Sequence, residues 1–140
     1  DETCVPTGRE INIDNTPFDF KKLKLIGKDI DNKSHRQIEI GNGYDHVFLL
    51  NENKKIYMED KISKRNMTIK TNQECVVIYT MNYEHEKTSY TGKVPPIRHG
   101  ICFETQRPPI GRNMCYLEES LLKKGEQYEQ KTEYIFNLVK

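Results

Sequence analysis

The sequence predicts an all-β protein, an antiparallel β-sandwich, from three observations. The segment "EQYEQKTEYIFNL" near the C-terminus alternates polar and apolar residues, which is typical of a long half-buried strand. The segment "CVVIYTMN" (75–82) is apolar on both faces and predicts a central strand. Pro and Gly mark the connections, and helical periodicity is weak throughout. Short strands joined by such loops favour a sandwich.

The first half of the chain holds one long connection and three predicted strands. The stretch "TPFDFKKLKLIGKDIDNKSHRQ" is the connection, with a short helix predicted at 21–26. The apolar run "GYDHVFLL" (43–50) predicts a buried strand. "KIYMEDKIS" and "RNMTIKT" are amphipathic and separated by a short polar turn, so they predict a hairpin.

The second half adds a strand at 99–106, "HGICFETQ", between two loops marked by Pro and Gly. The turn "LKKGEQY" then leads into the alternating segment. One face of that last predicted strand carries Tyr128, Thr132, Tyr134, Phe136 and Leu138.

Length and charge indicate one domain without a nucleic-acid or membrane partner. The chain has 140 residues, 31% of them charged, and its net charge of +1 comes from interspersed signs rather than a basic stripe. No segment resembles a signal peptide or a membrane span. Because both kinds of segment are missing from the sequence, we predict a cytoplasmic protein. The abrupt start "DETCVPTGRE" predicts a piece cut from a longer polypeptide.

The four cysteines, at 4, 75, 102 and 115, lack the CxxC spacing of a zinc site. Cys75 and Cys102 lie in apolar runs and are expected to be reduced, buried thiols. The even count leaves two disulfides open, in any of three connectivities. Phosphate-loop, HExxH and GxSxG motifs are absent from the sequence.

An acidic residue and a histidine interrupt the apolar run 43–50. Strand periodicity places Asp45 and His46 on opposite faces, so they cannot form an adjacent acid–base pair. A buried carboxylate without partners is costly or takes up a proton, so Asp45 needs hydrogen-bond donors, water or a ligand. The pattern alone favours a structural role for Asp45, with its hydrogen bonds made within the protein at a strand end. It leaves a binding role open.

Other side chains are candidates for chemistry or binding. Glu104 follows "GICF" and precedes a Pro-rich loop, a position where pockets form. His99 is a candidate ligand or general base, or it bonds a loop carbonyl. Tyr79 is a core residue or a ring that stacks on a sugar. His35 and His85 lie in charged loops and are expected to be solvated.

Five segments then occur in a familiar order. They are "TPFDFKKLKLIG", "GYDHVFLL", "VVIYTMN", "GICFETQRPP" and the tail "LLKKGEQYEQKTEYIF". Together they resemble the C-terminal half of the aldose 1-epimerase, or galactose mutarotase, family, and "DETCVPTG" resembles that family's segment before "TPFDF". The resemblance implies an antiparallel β-sandwich of the galactose mutarotase type. It makes residues 1–140 the C-terminal portion of a single domain, part of a larger supersandwich with an open sugar pocket.

The resemblance also implies an isomerase that interconverts α and β anomers of aldohexoses such as galactose or glucose. Glu104, in "ETQ", would be the general base that takes a proton from the anomeric hydroxyl, while an acid protonates the ring oxygen. Asp45, in "GYDH", would bind sugar hydroxyls, and Tyr79 stands where the family has its usual aromatic residue. The implied partner is a monosaccharide, and no metal or other cofactor is implied.

The chain departs from the family mildly at Tyr79, which replaces the usual aromatic residue, and strongly in the acid. The family's acid histidine, in an "HSYFNL"-like motif, comes from the N-terminal half, with a second histidine and an arginine, and that motif is absent here. Whether this chain alone is an active enzyme therefore stays open. A sheet cut in the middle exposes strand edges, which predicts self-association or binding of the missing half.

Two alternatives stay open. One is a non-catalytic carbohydrate-binding module that keeps the fold. The other is a sugar-phosphate epimerase, which needs a basic cluster near the pocket, and Arg98, Arg107 and Arg112 lie near the relevant strand in sequence.

Overall fold

A computed structural model describes residues 1–84 and 91–139, and within them it contains six β-strands and two short α-helices. In chain order these are α1 (Arg36–Gly41), β1 (Asp45–Leu49), β2 (Lys55–Asp60), β3 (Arg65–Thr71), β4 (Cys75–Tyr79), β5 (Cys102–Gln106), α2 (Leu117–Ser120) and β6 (Thr132–Leu138). In this part of the chain no helix has the length and hydrophobicity needed to cross a membrane.

The strands form two antiparallel sheets of three strands each. The first sheet has the order β1-β4-β5, and the second has the order β2-β3-β6. The β2–β3 hairpin thus lies between β1 and β4 in sequence but belongs to the other sheet. This arrangement confirms the predicted all-β antiparallel fold class, and it confirms the hairpin.

The main core lies between the N-terminal connection and one face of the first sheet. Its buried members are at most 7% exposed, and they are Phe18, Ile30, Ile38 and Tyr44. Phe48 and Ile78 of the sheet pack against this cluster. The buried Tyr44 hydroxyl donates to the backbone oxygen of Pro17 at 2.9 Å, so its burial leaves no unsatisfied donor. Burial raises the pKa of Tyr44 to about 12.

The prediction of a helix at 21–26 is wrong. Residues Ile26–Lys28 form a single 3₁₀ turn, and the α-helix of this connection is α1. The Lys24 ammonium instead bonds the backbone oxygen of Pro17 at 2.6 Å and the carboxylate of Asp29 at 2.9 Å, and these contacts hold a non-helical path. A lysine-rich stretch has high helix propensity, but tertiary contacts override that weak preference.

The central strand is confirmed, because β4 lies between β1 and β5 and its Cys75 and Val76 are at most 1% exposed. The strand predicted at 99–106 is shorter, and β5 begins only at Cys102. Residues 97–101 instead lead into the strand, and Arg98 has a left-handed backbone conformation, with φ of +65°, that interrupts extended structure.

The last predicted strand is also shorter and far more exposed than its alternation suggested. β6 begins at Thr132, so Tyr128 lies outside it, and the side chains of Phe136 and Leu138 are 72% and 71% exposed. The first half of β6 meets the other sheet, where the hydroxyls of Thr132 and Thr105 lie 2.6 Å apart and the Tyr134 hydroxyl donates to the backbone oxygen of Phe103 at 3.3 Å. Alternation identifies the apolar face of a strand, but burial requires a second layer over that face.

We expect the chain to self-associate through β6. This edge strand has one charged residue, Glu133, and large exposed apolar side chains, which are the features of an unprotected sheet edge. Replacing Phe136 and Leu138 together by Lys should convert associated protein into monomer in sedimentation velocity. Ile62→Lys, at a 95% exposed turn position, is the control and should leave association unchanged. Unchanged association in the double variant would show that β6 is not the contact.

Candidate functional site

Asp45, Tyr79 and Glu104 lie on one face of the first sheet. Asp45 pairs with Tyr79 across β1 and β4, and Val77 pairs with Glu104 across β4 and β5. Directly paired residues of an antiparallel sheet point to the same side, as do residues two apart in one strand. Glu104 is exposed, and Asp45 and Tyr79 are partly exposed, so this face is open.

His46 points to the opposite face, as strand periodicity predicted. Its ring packs edge-on against Phe18, with the ring centroids 4.6 Å apart. The Nδ1 atom of His46 accepts a hydrogen bond from the backbone N–H of Asp45 at 2.9 Å, so this nitrogen carries no proton. Burial lowers the pKa of His46 to about 4. His46 is therefore a neutral structural residue that holds the backbone at Asp45.

Asp45 has an electrostatic environment that suits a ligand. Burial, and then the negative charge of Glu104, raise the pKa of its carboxyl group. Within residues 1–84 and 91–139 no donor bonds the Asp45 carboxylate, so the described chain does not provide the partners expected of a purely structural Asp. Asp45 and Glu104 lie on strands that are separated by one strand, β4, so the charge of Glu104 acts across the central strand.

The open face can bind a molecule rich in hydroxyl groups. A carboxylate accepts several hydrogen bonds and donates none, so it is complementary to hydroxyl donors. Tyr79 stands on the central strand between the strands of the two carboxylates, where its ring offers an apolar surface with a polar tip. An exposed carboxylate such as Glu104 can also take a proton from a bound hydroxyl.

A groove of about 560 Å³ runs between the N-terminal segment and β1, and Asp45 is part of its lining. Much of the wall is apolar and includes Ile11, Val47 and Leu49. Tyr79 and Glu104 do not line the groove. The groove therefore meets the open face along the free edge of β1, where Asp45, Val47 and Leu49 share that face.

The remaining histidines lie apart from this face or outside the described residues. The expectation of a solvated His35 is wrong, because its ring packs edge-on against Phe18 at a centroid distance of 5.3 Å. Phe18 is adjacent in space because the connection folds back over α1 and β1. His99 is exposed and makes no hydrogen bond within the described residues. His85 lies outside them.

All four cysteines are free, so the structure contains neither of the two disulfides that the sequence had left possible. Cys75 is buried as predicted, and burial raises its pKa to about 11. Cys102 is exposed, which corrects the expectation of a buried thiol. Strand alternation puts both Cys102 and Cys75 on the face of Glu104. That face is open at Cys102 but covered at Cys75, whose thiol donates to the backbone oxygen of Gln106 at 3.1 Å.

The three arginines near the site are held by different parts of the chain. Arg98 lies in a buried network behind β1, Arg107 lies over the ring of Tyr128 at 5.3 Å, and Arg112 bonds Asp1 at 2.6 Å. They do not form the basic cluster that a sugar phosphate needs. Nor does the described part of the chain group three or more His, Cys, Asp or Glu side chains where they could hold a metal ion.

Sequence reasoning missed Asn82, a residue 1% exposed that organises the network behind β1. The only signal for it was a polar residue at the end of the apolar segment 75–82. Such a side chain must find partners if it is buried, but the sequence does not say which ones.

Comparison with known proteins relates this arrangement to sugar epimerases. The family model described as aldose 1-epimerase matches residues 1–135. Galactose mutarotases from Sus scrofa and Homo sapiens are 33% and 32% identical over 99% of this chain and 40% of their own length. The crystal structure of galactose 1-epimerase from Lactobacillus acidophilus NCFM matches with a TM-score of 0.83 at 30% identity, over 100% of this chain and 40% of that one.

The chain thus spans about 40% of the length of the relatives that it matches. The match to the family model extends over most of the chain, and the two antiparallel sheets agree with the fold of the galactose epimerase structure. The chain belongs to the aldose 1-epimerase family.

Proposed function

We propose that this chain supplies the general base and part of the sugar-binding surface of an isomerase that interconverts the α and β anomers of an aldohexose such as galactose or glucose. The observation that best supports the proposal is the shared open face of Asp45, Tyr79 and Glu104 in a chain of this family. Glu104 is the proposed base, because its carboxylate is exposed on that face. Asp45 and Tyr79 are the proposed sugar contacts.

The proposed reaction opens and closes the sugar ring. Glu104 takes the proton from the anomeric hydroxyl, the bond from the anomeric carbon to the ring oxygen breaks, and its electron pair stays on that oxygen as an acid protonates it. Rotation of the aldehyde and reversal of these steps give the other anomer. His46 is not this acid, because it faces the core and its Nδ1 bonds the Asp45 amide. We place the acid in the "HSYFNL"-type motif of the family's N-terminal half.

Polarimetry of freshly dissolved α-galactose tests the proposal. The chain alone should not exceed the spontaneous rate, because it lacks the acid motif. Adding a separately produced N-terminal half of a family member should accelerate the change in rotation for galactose or glucose. A chain that accelerates the reaction alone, at a rate abolished by Glu104→Gln, would place the acid within this sequence instead.

Replacing Asp45 by Ala should weaken galactose binding by about 1–3 kcal/mol, roughly 5- to 150-fold, because a charge-assisted hydrogen bond is lost. NMR titration with galactose measures this change. The melting temperature should change little, since no described group donates to the Asp45 carboxylate. Asp14→Ala, which removes an exposed ion pair with Lys21, is the control. Retained binding with a large fall in melting temperature would assign Asp45 a structural role.

A second candidate is a non-catalytic carbohydrate-binding module, which would need only the sugar contacts that Asp45 and Tyr79 offer on the open face. Such a module would bind galactose through the same face but would not accelerate anomer exchange with any added N-terminal half. The sugar-phosphate alternative receives no support from the three separated arginines, and a hexose 6-phosphate in the same polarimetric assay tests it. A cytoplasmic location remains a proposal from the sequence.

A further inference from the structure

A buried hydrogen-bond network, which we call the Asn82 clamp, lies behind the start of β1. Its centre is the Asn82 side chain, whose Nδ2 atom donates to the backbone oxygens of Gly41 at 2.7 Å and Tyr44 at 2.9 Å. The Oδ1 atom accepts hydrogen bonds from the hydroxyl of Thr80, at 2.6 Å, and from Nη1 of Arg98. The amide thus bonds the turn before β1, the end of β4 and the segment before β5 at once.

Arg98 is the second member of the clamp, and it connects further segments. Its Nη2 atom donates to the backbone oxygen of Asn42 at 2.7 Å and to the carboxylate of Asp31 at 3.0 Å. Its backbone N–H donates to the oxygen of Met81 at 2.9 Å. The chain that enters β5 is therefore fixed to the residues before β1 and after β4.

Gly43 shows how tightly the clamp fills its space. A side chain at this position would place its Cβ atom 2.5 Å from Nη1 of Arg98 and 2.6 Å from Oδ1 of Asn82. The φ angle of Gly43, +131°, is also one that other residues rarely adopt. The chain between α1 and β1 can thus approach the clamp only without a side chain there.

Each strand of the first sheet carries its candidate residue close to the clamp in sequence. Asp45 directly follows Tyr44, Tyr79 directly precedes Thr80, and the segment that contains Arg98 leads into β5 with Glu104. We propose that Asn82 and Arg98 are positioning residues that set the separation of Asp45 and Glu104 across the open face. The value of this separation for sugar binding rests on the proposed function, whereas the positioning itself does not.

The physical need for such a device follows from charge. Two carboxylates on one face repel each other. The β1–β4 and β4–β5 ladders resist this repulsion, and the clamp adds to them beside Asp45, the first residue of β1, where the ladder with β4 ends. The Nε atom of Arg98 is buried without a partner, but the Asn82 amide and both terminal nitrogens of Arg98 are bonded. Displacing these bonded groups would leave further buried polar atoms without partners, so the network favours a single arrangement. Asn82→Ala would leave the backbone oxygens of Gly41 and Tyr44 without their hydrogen-bond donor and risks unfolding. The Arg98 side chain is 21% exposed, so its replacement is better tolerated.

NMR titration of the Asp45 carboxyl group tests the proposal in four proteins: wild type, Glu104→Gln, Arg98→Ala and the double variant. Compared with wild type, Glu104→Gln should lower the pKa of the Asp45 carboxyl group, because a nearby negative charge is removed. In the Arg98→Ala background this lowering should shrink to half or less, because the two strands no longer hold the carboxylates at one separation. Comparing the two backgrounds cancels the direct effect of removing the Arg98 charge.

Two further variants control the result. Arg98→Lys keeps the positive charge and part of the bonding, so the effect of Glu104→Gln should be intermediate; this series decides the test if Arg98→Ala does not fold. Arg112→Ala removes an arginine bonded to Asp1, away from the clamp, and should leave the effect at its wild-type size. An effect of Glu104→Gln that is equal in wild type and the folded Arg98 variants would overturn the proposal.

Galactose titration of the same proteins separates this proposal from the proposed function. If both hold, Arg98→Ala should weaken galactose binding about 10-fold, and Arg98→Lys should recover part of the loss. If galactose binds none of the proteins, wild type included, while the coupling between Asp45 and Glu104 falls as expected, the clamp positions two carboxylates that serve another ligand. If galactose binds and the coupling is unchanged, the sugar site stands and the positioning role is rejected.

Discussion

Replacing Glu104 by Gln should lower the rate of anomer interconversion about 100-fold or more in any active form that contains this segment, as expected for loss of a general base. The amide keeps the size and the hydrogen-bonding oxygen of the side chain, but it cannot take up the proton of the anomeric hydroxyl. Sugar affinity should therefore change far less than turnover. Polarimetry at saturating and at low galactose concentrations separates the two effects.

A matched carboxylate outside the open face serves as the control. Glu118 is exposed in α2, so Glu118→Gln should leave turnover at the wild-type value. Turnover of Glu104→Gln within a few-fold of wild type would remove Glu104 from the mechanism. Asp45 would then be the remaining carboxylate that the first sheet presents on this face.

The chain should lose about 3 kcal/mol of stability as the pH falls from 6.5 to 4, through His46. Burial holds the pKa of this histidine near 4, against an ordinary value of 6.5 in the unfolded chain. In that range the unfolded state binds a proton that the folded state does not, so stability is full above pH 6.5 and falls with acidification. A pKa difference of about 2.5 units at about 1.4 kcal/mol each sets a limit of about 3.5 kcal/mol, and most of it is lost between these two pH values.

The environment of His46 agrees with this direction. Charge on His35 and on the amino group of Asp1 opposes its protonation, while the backbone of Gln37 favours it less strongly than burial disfavours it. Protonation of Nδ1 would also break the hydrogen bond from the Asp45 amide. The raised pKa of the Asp45 carboxyl acts with the opposite sign, so it must be removed by comparison with a variant.

Urea unfolding of wild type and His46→Gln at pH 7 and pH 4 makes that comparison. Wild type should lose about 3 kcal/mol more than the variant between the two pH values, because the variant has no titrating group at this position. His99→Gln, which removes an exposed histidine, should behave as wild type. Equal losses in wild type and His46→Gln would show that His46 is not buried in its neutral form.

Much of the candidate site could be predicted from local pattern. Period two alone separated Asp45 from His46 onto opposite faces of β1. It could not place Tyr79 with the two carboxylates, because that depends on the register of β4 against both neighbours. A shift of that register by one residue would have turned Tyr79 to the other face.

Two other features of the structure could not be predicted from the sequence, because they too depend on long-range contacts. The lysine-rich stretch 21–26 has the composition of a helix, but the Lys24 contacts with Pro17 and Asp29 are decided by where the connection folds back. Asn82 and Arg98 are 16 positions apart, and their bond exists because the chain brings the end of β4 and the start of β5 together. Propensity and periodicity describe near neighbours and hold no information about such pairs.

The sequence by itself determined the all-β class, the β2–β3 hairpin, the central strand and the family, because alternation and ordered motifs are local properties of the chain. Only the tertiary structure decided that Asp45, Tyr79 and Glu104 share one face, that β6 is exposed, and that Asn82 and Arg98 are hydrogen-bonded to each other behind β1. These features depend on strand register and on which layer covers which face. Both are fixed by the free energy of many distant contacts acting together rather than by the preference of any one segment.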